Sequence, residues 1–183
     1  MKKTTIKIVY AGLLGVAQDI LGIIKKVDFE QLGVEFHIYG GGNQKERIER
    51  YLDTHECNVF YHGYVKETQI RDILIQYDAA LVPLVTYIRG AVPSKIYAMM
   101  PLGIPMLFCG GGEGAMIIQK YGVGLVSEPG NYERLAANIK LFSNMSEQER
   151  RQMSENALRT SEKCFSFSRQ MDAFYDFCNH IMG

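Results

Sequence analysis

Short apolar runs alternate with amphipathic stretches along most of the 183 residues. Ile6-Lys7-Ile8-Val9-Tyr10 reads as a first strand, with glycines following at 12 and 15. Residues 16–27 read as a helix with Ile20, Leu21, Ile23, Ile24 and Val27 on one side. Val34-Glu35-Phe36-His37-Ile38-Tyr39 is a second strand, closed by Gly40-Gly41-Gly42, and a polar helix covers 44–55. Residues 58–63 read as a third strand, 66–76 as a helix and 79–83 as a fourth strand. A helix over 94–100 is stopped by Pro101. Residues 104–109 read as a fifth strand ending in three glycines. A short helix over 113–121, a sixth strand over 123–127 and a helix over 131–142 follow. Ser146-Glu147-Gln148-Glu149 is a capping box that opens another helix. In a last helix over 166–181, Phe167, Met171, Phe174, Tyr175, Cys178 and Ile181 fall at helical spacing.

Strict alternation of strand and helix implies an α/β fold: a Rossmann-like, doubly wound parallel sheet of about six strands, with helices on both faces. No linker or low-complexity tract divides the chain. It reads as one domain over 1–183, with 146–183 as a helical extension.

Charge narrows the partners. Lys plus Arg is 20 and Asp plus Glu is 20, so there is no basic excess for nucleic acid and no acidic tail. With 47% hydrophobic residues the chain can bury a real core, which excludes disordered and collagen-like classes. Cys57, Cys109, Cys164 and Cys178 are scattered without a C-x-x-C pair, which favours a reducing cytoplasm over a disulfide framework. Met1-Lys2-Lys3-Thr4-Thr5 leads into a strand rather than a signal peptide. The long uncharged run over 96–112 is broken by Pro101, Gly103 and Pro105, so it is not a membrane span.

In open parallel sheets, ligands bind beyond the carboxyl ends of the strands, where this sequence places its glycines. Gly12-Leu13-Leu14-Gly15 is expected to open the first helix and offer free amides to a phosphate; a plain tight turn accounts for the same residues. Pro93-Ser94-Lys95 begins a helix that Ser94 can cap, with Lys95 adding charge; a cap and a surface lysine are the plainer reading. Gly110-Gly111-Gly112-Glu113-Gly114-Ala115 fits G-x-G-x-x-A, with Glu128 near where a ribose-binding acid would sit. It follows the fifth strand rather than the first, so a glycine loop presenting Glu113 to a ligand hydroxyl is preferred to a dinucleotide site. No D-x-D, H-E-x-x-H, G-x-x-x-x-G-K-[ST] or G-x-S-x-G pattern occurs, and no metal or further cofactor is expected. His62 stands at a strand end, where it could line the cleft, and a satisfied structural histidine is the preferred reading; Met99, Met100 and Met106 read as core.

Several segments resemble one family. Val9-Tyr10-Ala11-Gly12-Leu13-Leu14-Gly15-Val16-Ala17-Gln18-Asp19 is similar to the "YAGNLGxAQG" segment of group 1 glycosyltransferases, the retaining GT-B enzymes of family 4. Ile38-Tyr39-Gly40-Gly41-Gly42, Val59-Phe60-Tyr61-His62-Gly63-Tyr64-Val65 and Asp78-Ala79-Ala80-Leu81-Val82-Pro83-Leu84 resemble the next three segments. Val92-Pro93-Ser94-Lys95-Ile96-Tyr97 with Gly103-Ile104-Pro105, and Gly122-Val123-Gly124-Leu125-Val126, resemble the last two. They come in family order over about residues 8–170. The "YAG…AQ" and "PSK" segments resemble most the bacterial N-acetylfucosaminyltransferase-like set of capsule and O-antigen assembly.

The resemblance implies the C-terminal, donor-binding half of such an enzyme. Its partners would be a nucleotide sugar and an N-terminal acceptor domain or subunit, against which 146–183 would pack. It implies a cytoplasmic enzyme, peripheral at the inner membrane through its other half. The donor would meet Gly12, Leu13, Leu14, Gly15, Gly40, Tyr64, Val65, Pro93, Ser94, Lys95, Gly111, Gly112 and Glu113. The base would lie near Tyr64 and Val65, the diphosphate between the Gly12 turn and Ser94-Lys95, and the sugar near Glu113. No general base is identifiable. The E-x7-E acids of many members fall, by register with Gly103, on Gly90 and Ala98. That departure keeps a non-catalytic binding subunit open beside the enzyme, and the glycine run keeps an NAD-dependent oxidoreductase open.

Overall fold

The computed structural model describes residues 5–86, 90 and 92–182, of which 167, 173 and 180–182 by backbone alone. Residues 1–4, Ala91 and the Phe167 and Ile181 side chains, which the sequence reading used, lie outside the described set. Six parallel strands form one sheet: β1 (Ile6–Ala11), β2 (Val34–Tyr39), β3 (Val59–Tyr61), β4 (Ala79–Pro83), β5 (Met106–Cys109) and β6 (Gly124–Ser127). Their spatial order is β3-β2-β1-β4-β5-β6, so the direction of winding reverses at β1. The helices are α1 (Ile20–Lys26), α2 (Lys45–Leu52), α3 (Glu67–Leu74), α4 (Ser94–Met99), α5 (Gly112–Tyr121), α6 (Tyr132–Asn144), α7 (Glu147–Cys164) and α8 (Phe167–Met182). One 3-10 turn, Met100–Leu102, follows α4 and carries Pro101 near its start.

The strand pattern explains two cores, one on each face. Successive strand residues point to opposite sides. On β1, Ile6, Ile8 and Tyr10 join Phe36, Ile38 and the apolar side of α1 and α6, while Val9 joins Val82, Met106, Phe108 and Ile96 on the other face. β4 is buried along its whole length, as a central parallel strand must be. Edge strand β3 is short and half exposed. Helix α2 is mostly polar; Ile48 is its fully buried anchor, and the partly buried Tyr51 and Leu52 pack against the same core. Phe29 stacks on Phe36 with centroids 4.8 Å apart, worth about 1 kcal/mol beyond the area buried.

The capping box at α7 forms as expected: the Ser146 side chain takes the Glu149 amide, and Glu149 takes the Ser146 amide. The extension over 146–183, however, does not behave as one unit. Helix α7 packs on this domain: Ala157 is fully buried, Leu158 lies against Gly103, and the Asn156 side-chain amide donates to the Gly122 carbonyl at 3.1 Å. Within the extension, the exposed aromatic side chains among the described residues are Phe174, Tyr175 and Phe177 of α8. Among the described residues no helix is long and apolar enough to cross a membrane.

Candidate functional site

The carboxyl ends of β1, β2 and β3 carry glycine loops that are stitched together. The Gly12 amide donates to the Tyr39 carbonyl at 2.9 Å, and the Leu14 amide to the Gly41 carbonyl at 2.8 Å. The Gln44 amide returns to the Leu14 carbonyl at 3.0 Å, and Gly40 donates to Gly63 at 2.8 Å. This continues the parallel ladder beyond the strands. The approach is so close that a Cβ on Gly40 would land on the Gly12 carbonyl, and Gly40 also holds φ 137°, open only to glycine.

This geometry corrects the expected phosphate turn. The Gly12–Gly15 segment does not open a helix: α1 starts at Ile20, capped by Asp19, whose side chain takes the Gly22 amide and the Tyr132 hydroxyl. Two of the four amides are used by the β2 loop, and the Leu14 side chain is fully buried. The Leu13 and Gly15 amides keep no protein partner among the described residues. The alternation that turns Gly12 and Leu14 toward β2 turns the Leu13 amide toward the opposite, β4 edge.

On that edge stands Lys95. Its ammonium lies 5.5 Å from the Tyr10 ring centroid and against Gly12, where no side chain intervenes. The Tyr10 hydroxyl in turn donates to the Leu13 carbonyl at 2.6 Å, holding the turn. Among the described residues no acid forms an ion pair with Lys95, and burial pulls its pKa below the usual lysine range. The start of α4 differs from expectation: Pro93 occupies the N-cap, and Ser94 is the first helical residue, exposed and making no capping bond. The cation and the helix start are thus present, but the serine cap is not.

Beside this edge lies an apolar cavity of about 480 Å³, lined by Ala11, Gly12, Leu13, Tyr39, Gly40, Gly41, Tyr64, Val65, Glu67 and Ile70. It brings together five of the expected residues: Gly12, Leu13, Gly40, Tyr64 and Val65. The sequence reading missed Ala11, Tyr39, Gly41, Glu67 and Ile70. The rule that ligands sit past strand ends points to Ala11, Tyr39 and Gly41, and Glu67 and Ile70 are three apart on one side of α3.

The third cluster is not part of that cavity. Gly111 is the N-cap of α5 and Gly112 its first residue, with φ 67°, so Glu113 stands exposed in a helical first turn rather than on a glycine loop. β5 lies two strands from β1, and the Glu128 carboxylate takes the Asn131 side-chain amide at 3.1 Å. Ala98 lies in α4, and Gly90 has φ 76°; neither supplies a carboxylate.

A polar network backs the cavity wall. The Tyr39 hydroxyl meets that of Tyr77 at 2.8 Å, and its ring stacks on His62 with centroids 4.5 Å apart. His62 Nε2 lies 2.9 Å from His37 Nδ1, and His37 Nε2 lies 3.2 Å from Glu35. His62 does not line the cavity, and the reading of it as a satisfied structural histidine holds. Among the described residues no group of three or more His, Cys, Asp or Glu gathers where it could hold a metal ion.

Comparison with known proteins agrees with the architecture. Residues 2–160 match the family model described as glycosyl transferases group 1. No curated protein sequence matches. Among solved structures, a mutant of S. aureus TarM in complex with fondaparinux, α-GlcNAc-glycerol and UDP superposes with TM-score 0.79 at 18% identity, over 95% of this chain and 35% of that one. Anabaena HepE with UDP-glucose gives 0.78 at 16% identity, over 97% and 49%. The pneumococcal O-GlcNAc transferase GtfA with UDP and GlcNAc gives 0.74 at 16% identity, over 96% and 36%. The chain therefore spans between a third and a half of the length of these structures, and at such identities the likeness is one of fold: the Rossmann-like domain of GT-B proteins.

Proposed function

The chain belongs to the group 1 glycosyl transferases, and we propose that it is the donor-binding half of an enzyme that moves a sugar from a nucleoside diphosphate to a growing bacterial capsule, O-antigen or exopolysaccharide. The observation that carries this reading is the juxtaposition of Lys95, without an acid partner among the described residues, with the glycine turn at the mouth of an apolar cavity. A flat base suits the cavity, against Tyr64 and the Val65 backbone. The diphosphate lies between the free Leu13 and Gly15 amides and the Lys95 ammonium, beside the start of α4.

These groups stabilise the charge that grows on the departing diphosphate, an electrostatic contribution that needs no proton transfer from this half. Retention of anomeric configuration, a metal-independent step, sugar hydroxyls near Glu113 and an N-acetylfucosaminyl-type subgroup belong to the same proposal. UDP or UDP-glucose is bound in the three similar structures, which supports a uridine donor, with guanosine as the alternative. An acceptor domain or subunit would close over the exposed Leu13 and Tyr64 of the cavity lining, with the exposed Val16 and the outward aromatic side chains of α8 as further apolar groups it could cover.

A second reading rests on Gly90 and Ala98. Without carboxylates at these two positions, the chain is a nucleotide-sugar-binding subunit that performs no turnover. A thermal-shift panel of UDP, GDP, their sugars and NAD tests the shared premise: stabilisation by a nucleoside diphosphate is expected, and stabilisation by NAD alone would assign the chain to the oxidoreductases instead. Assay with the acceptor half present then separates enzyme from binding subunit.

A further inference from the structure

We propose that the His37–His62 pair is a proton-responsive support of the cavity wall, so that its protonation and occupancy of the cavity by a nucleoside oppose one another. This rests on the reading of the cavity as a nucleoside site. The path is continuous: Tyr39 lines the cavity, stacks on His62 and is tied by its hydroxyl to Tyr77.

Glu35 fixes the tautomers. Its carboxylate can only accept, so His37 carries its proton on Nε2 and leaves Nδ1 as an acceptor. His62 must then donate from Nε2 across the 2.9 Å contact, which leaves its own Nδ1 to take the next proton. The pair can therefore take a first proton without breaking either hydrogen bond, and it enters at His62 Nδ1. The proton of the 2.9 Å contact can sit on either ring, so the charge is shared between His37 beside Glu35 and His62 against the Tyr39 ring. A second proton would set two N–H groups head to head and open the pair.

The charged neighbours come from every packed element. Lys7 on β1 reaches Glu35 at 3.7 Å. Glu49 and Asp53 line a groove with Phe60 and His62. Glu67 shares the cavity with Tyr39. Burial holds both imidazoles below the usual histidine range; Glu35 pulls His37 back up, and His37 pushes His62 further down. At neutral pH the pair is therefore uncharged. A neutral nucleoside filling the cavity replaces water next to Tyr39 and makes the His62 imidazolium costlier. By reciprocity, acidification must weaken nucleoside binding by the same factor.

The test is a histidine NMR titration of the whole chain between pH 5 and 8.5, alone and with saturating uridine or guanosine, which carry no phosphate to titrate. Signals are assigned with His37→Asn and His62→Gln. The expected result is a fall of about 0.3 pH unit or more in the His62 midpoint, a twofold loss of affinity across the titration. His62→Phe keeps a stacked ring without a titrating nitrogen, and nucleoside affinity should then become flat over the same range. Nucleoside binding with superimposable His62 curves would overturn the coupling alone. If neither nucleoside bound while folding was intact, the nucleoside reading of the cavity would fall, and the coupling with it.

Discussion

Replacing Lys95 by methionine separates binding from folding at the proposed diphosphate site. Methionine keeps an unbranched apolar stem over the Tyr10 ring and removes only the ammonium. A unit charge about 4 Å from a phosphate oxygen gains roughly 4 kcal/mol at an effective dielectric near 20. Lys95 is partly exposed, and the diphosphate must shed water to reach it, so the net loss is about 2 kcal/mol, or roughly thirtyfold in Kd. Folding should hardly change. The substitution forfeits a cation–π contact of about 0.5–1 kcal/mol and relieves a desolvated charge that no acid among the described residues pairs. Calorimetry with UDP and GDP measures the first quantity, and thermal melting of the free protein the second. The pH dependence supplies a second check with opposite signs. Because burial lowers the folded-state pKa of Lys95, the free protein gains stability as pH climbs from that value toward the unfolded one. Nucleotide affinity falls over the same window, as the ammonium is lost. Both slopes should vanish in the methionine variant. An unchanged Kd together with a lowered melting temperature would show that Lys95 serves packing and that the diphosphate lies elsewhere.

Other substitutions test the supports of the same site. Gly40→Ala forces a Cβ onto the Gly12 carbonyl at a φ of 137° and should cost about 3 kcal/mol in urea denaturation; a loss below about 1 would show that the two loops can separate freely. Tyr132→Phe removes the hydroxyl that donates to Asp19, and should cost about 1–2 kcal/mol in denaturant midpoint while raising the Kd for UDP; normal stability would mean that Asp19 needs only Gly22. Ile48→Ala takes away the fully buried core anchor of α2, beside which Tyr51 and Leu52 pack, and should cost about 3 kcal/mol, read in the same experiment. Truncation before Phe167 removes α8 and should leave the melting temperature within a few degrees while reducing dye binding to exposed apolar surface; unfolding would show that α8 completes this domain.

Periodicity made the fold legible because both faces of the sheet are covered. Unbroken apolar runs such as Ala79-Ala80-Leu81-Val82-Pro83 can belong only to central parallel strands, and the second strand is read to the residue. Boundaries slipped where tertiary hydrogen bonding decides. Val16 and Ala17 carry no local signal against helix, yet the chain there is held as turns by the ladder to β2 and by Asp19, so α1 starts four residues late. The same ladder hid half of the site's chemistry: which amides of Gly12-Leu13-Leu14-Gly15 stay free depends on Tyr39 and Gly41, distant in sequence. Ser94 was read as a cap from its residue type, but Pro93 fits the extended cap position and displaces it by one. The apolar character of α7 was too diluted by charge to show that Ala157 and Leu158 dock on its own domain.

The groups gathered at the site suit one part of the proposed transfer reaction. Two amides and one partly buried ammonium can hold a polyanion, and an apolar cavity beside them can hold a base. None of these removes a proton from an attacking hydroxyl. Lys95 is a donor when charged, and Glu67 stands at the base cavity rather than at the cation. The carboxylates of Glu113 and Glu128 lie on the β5 and β6 side, one exposed and the other engaged by Asn131. In the proposed reaction, this half fixes the leaving group and lowers the cost of its departure, and the acceptor and any base must come from the surface that closes over Leu13, Val16 and Tyr64. In the proposed enzyme, with an acceptor half present, substitution at Lys95 should then depress kcat/KM for the intact nucleotide sugar by about the factor lost in nucleoside-diphosphate binding or more, since the developing charge of the transition state exceeds that of the bound donor. A variant that bound UDP thirtyfold more weakly yet turned over at the full kcat/KM would place the stabilising groups in the other half.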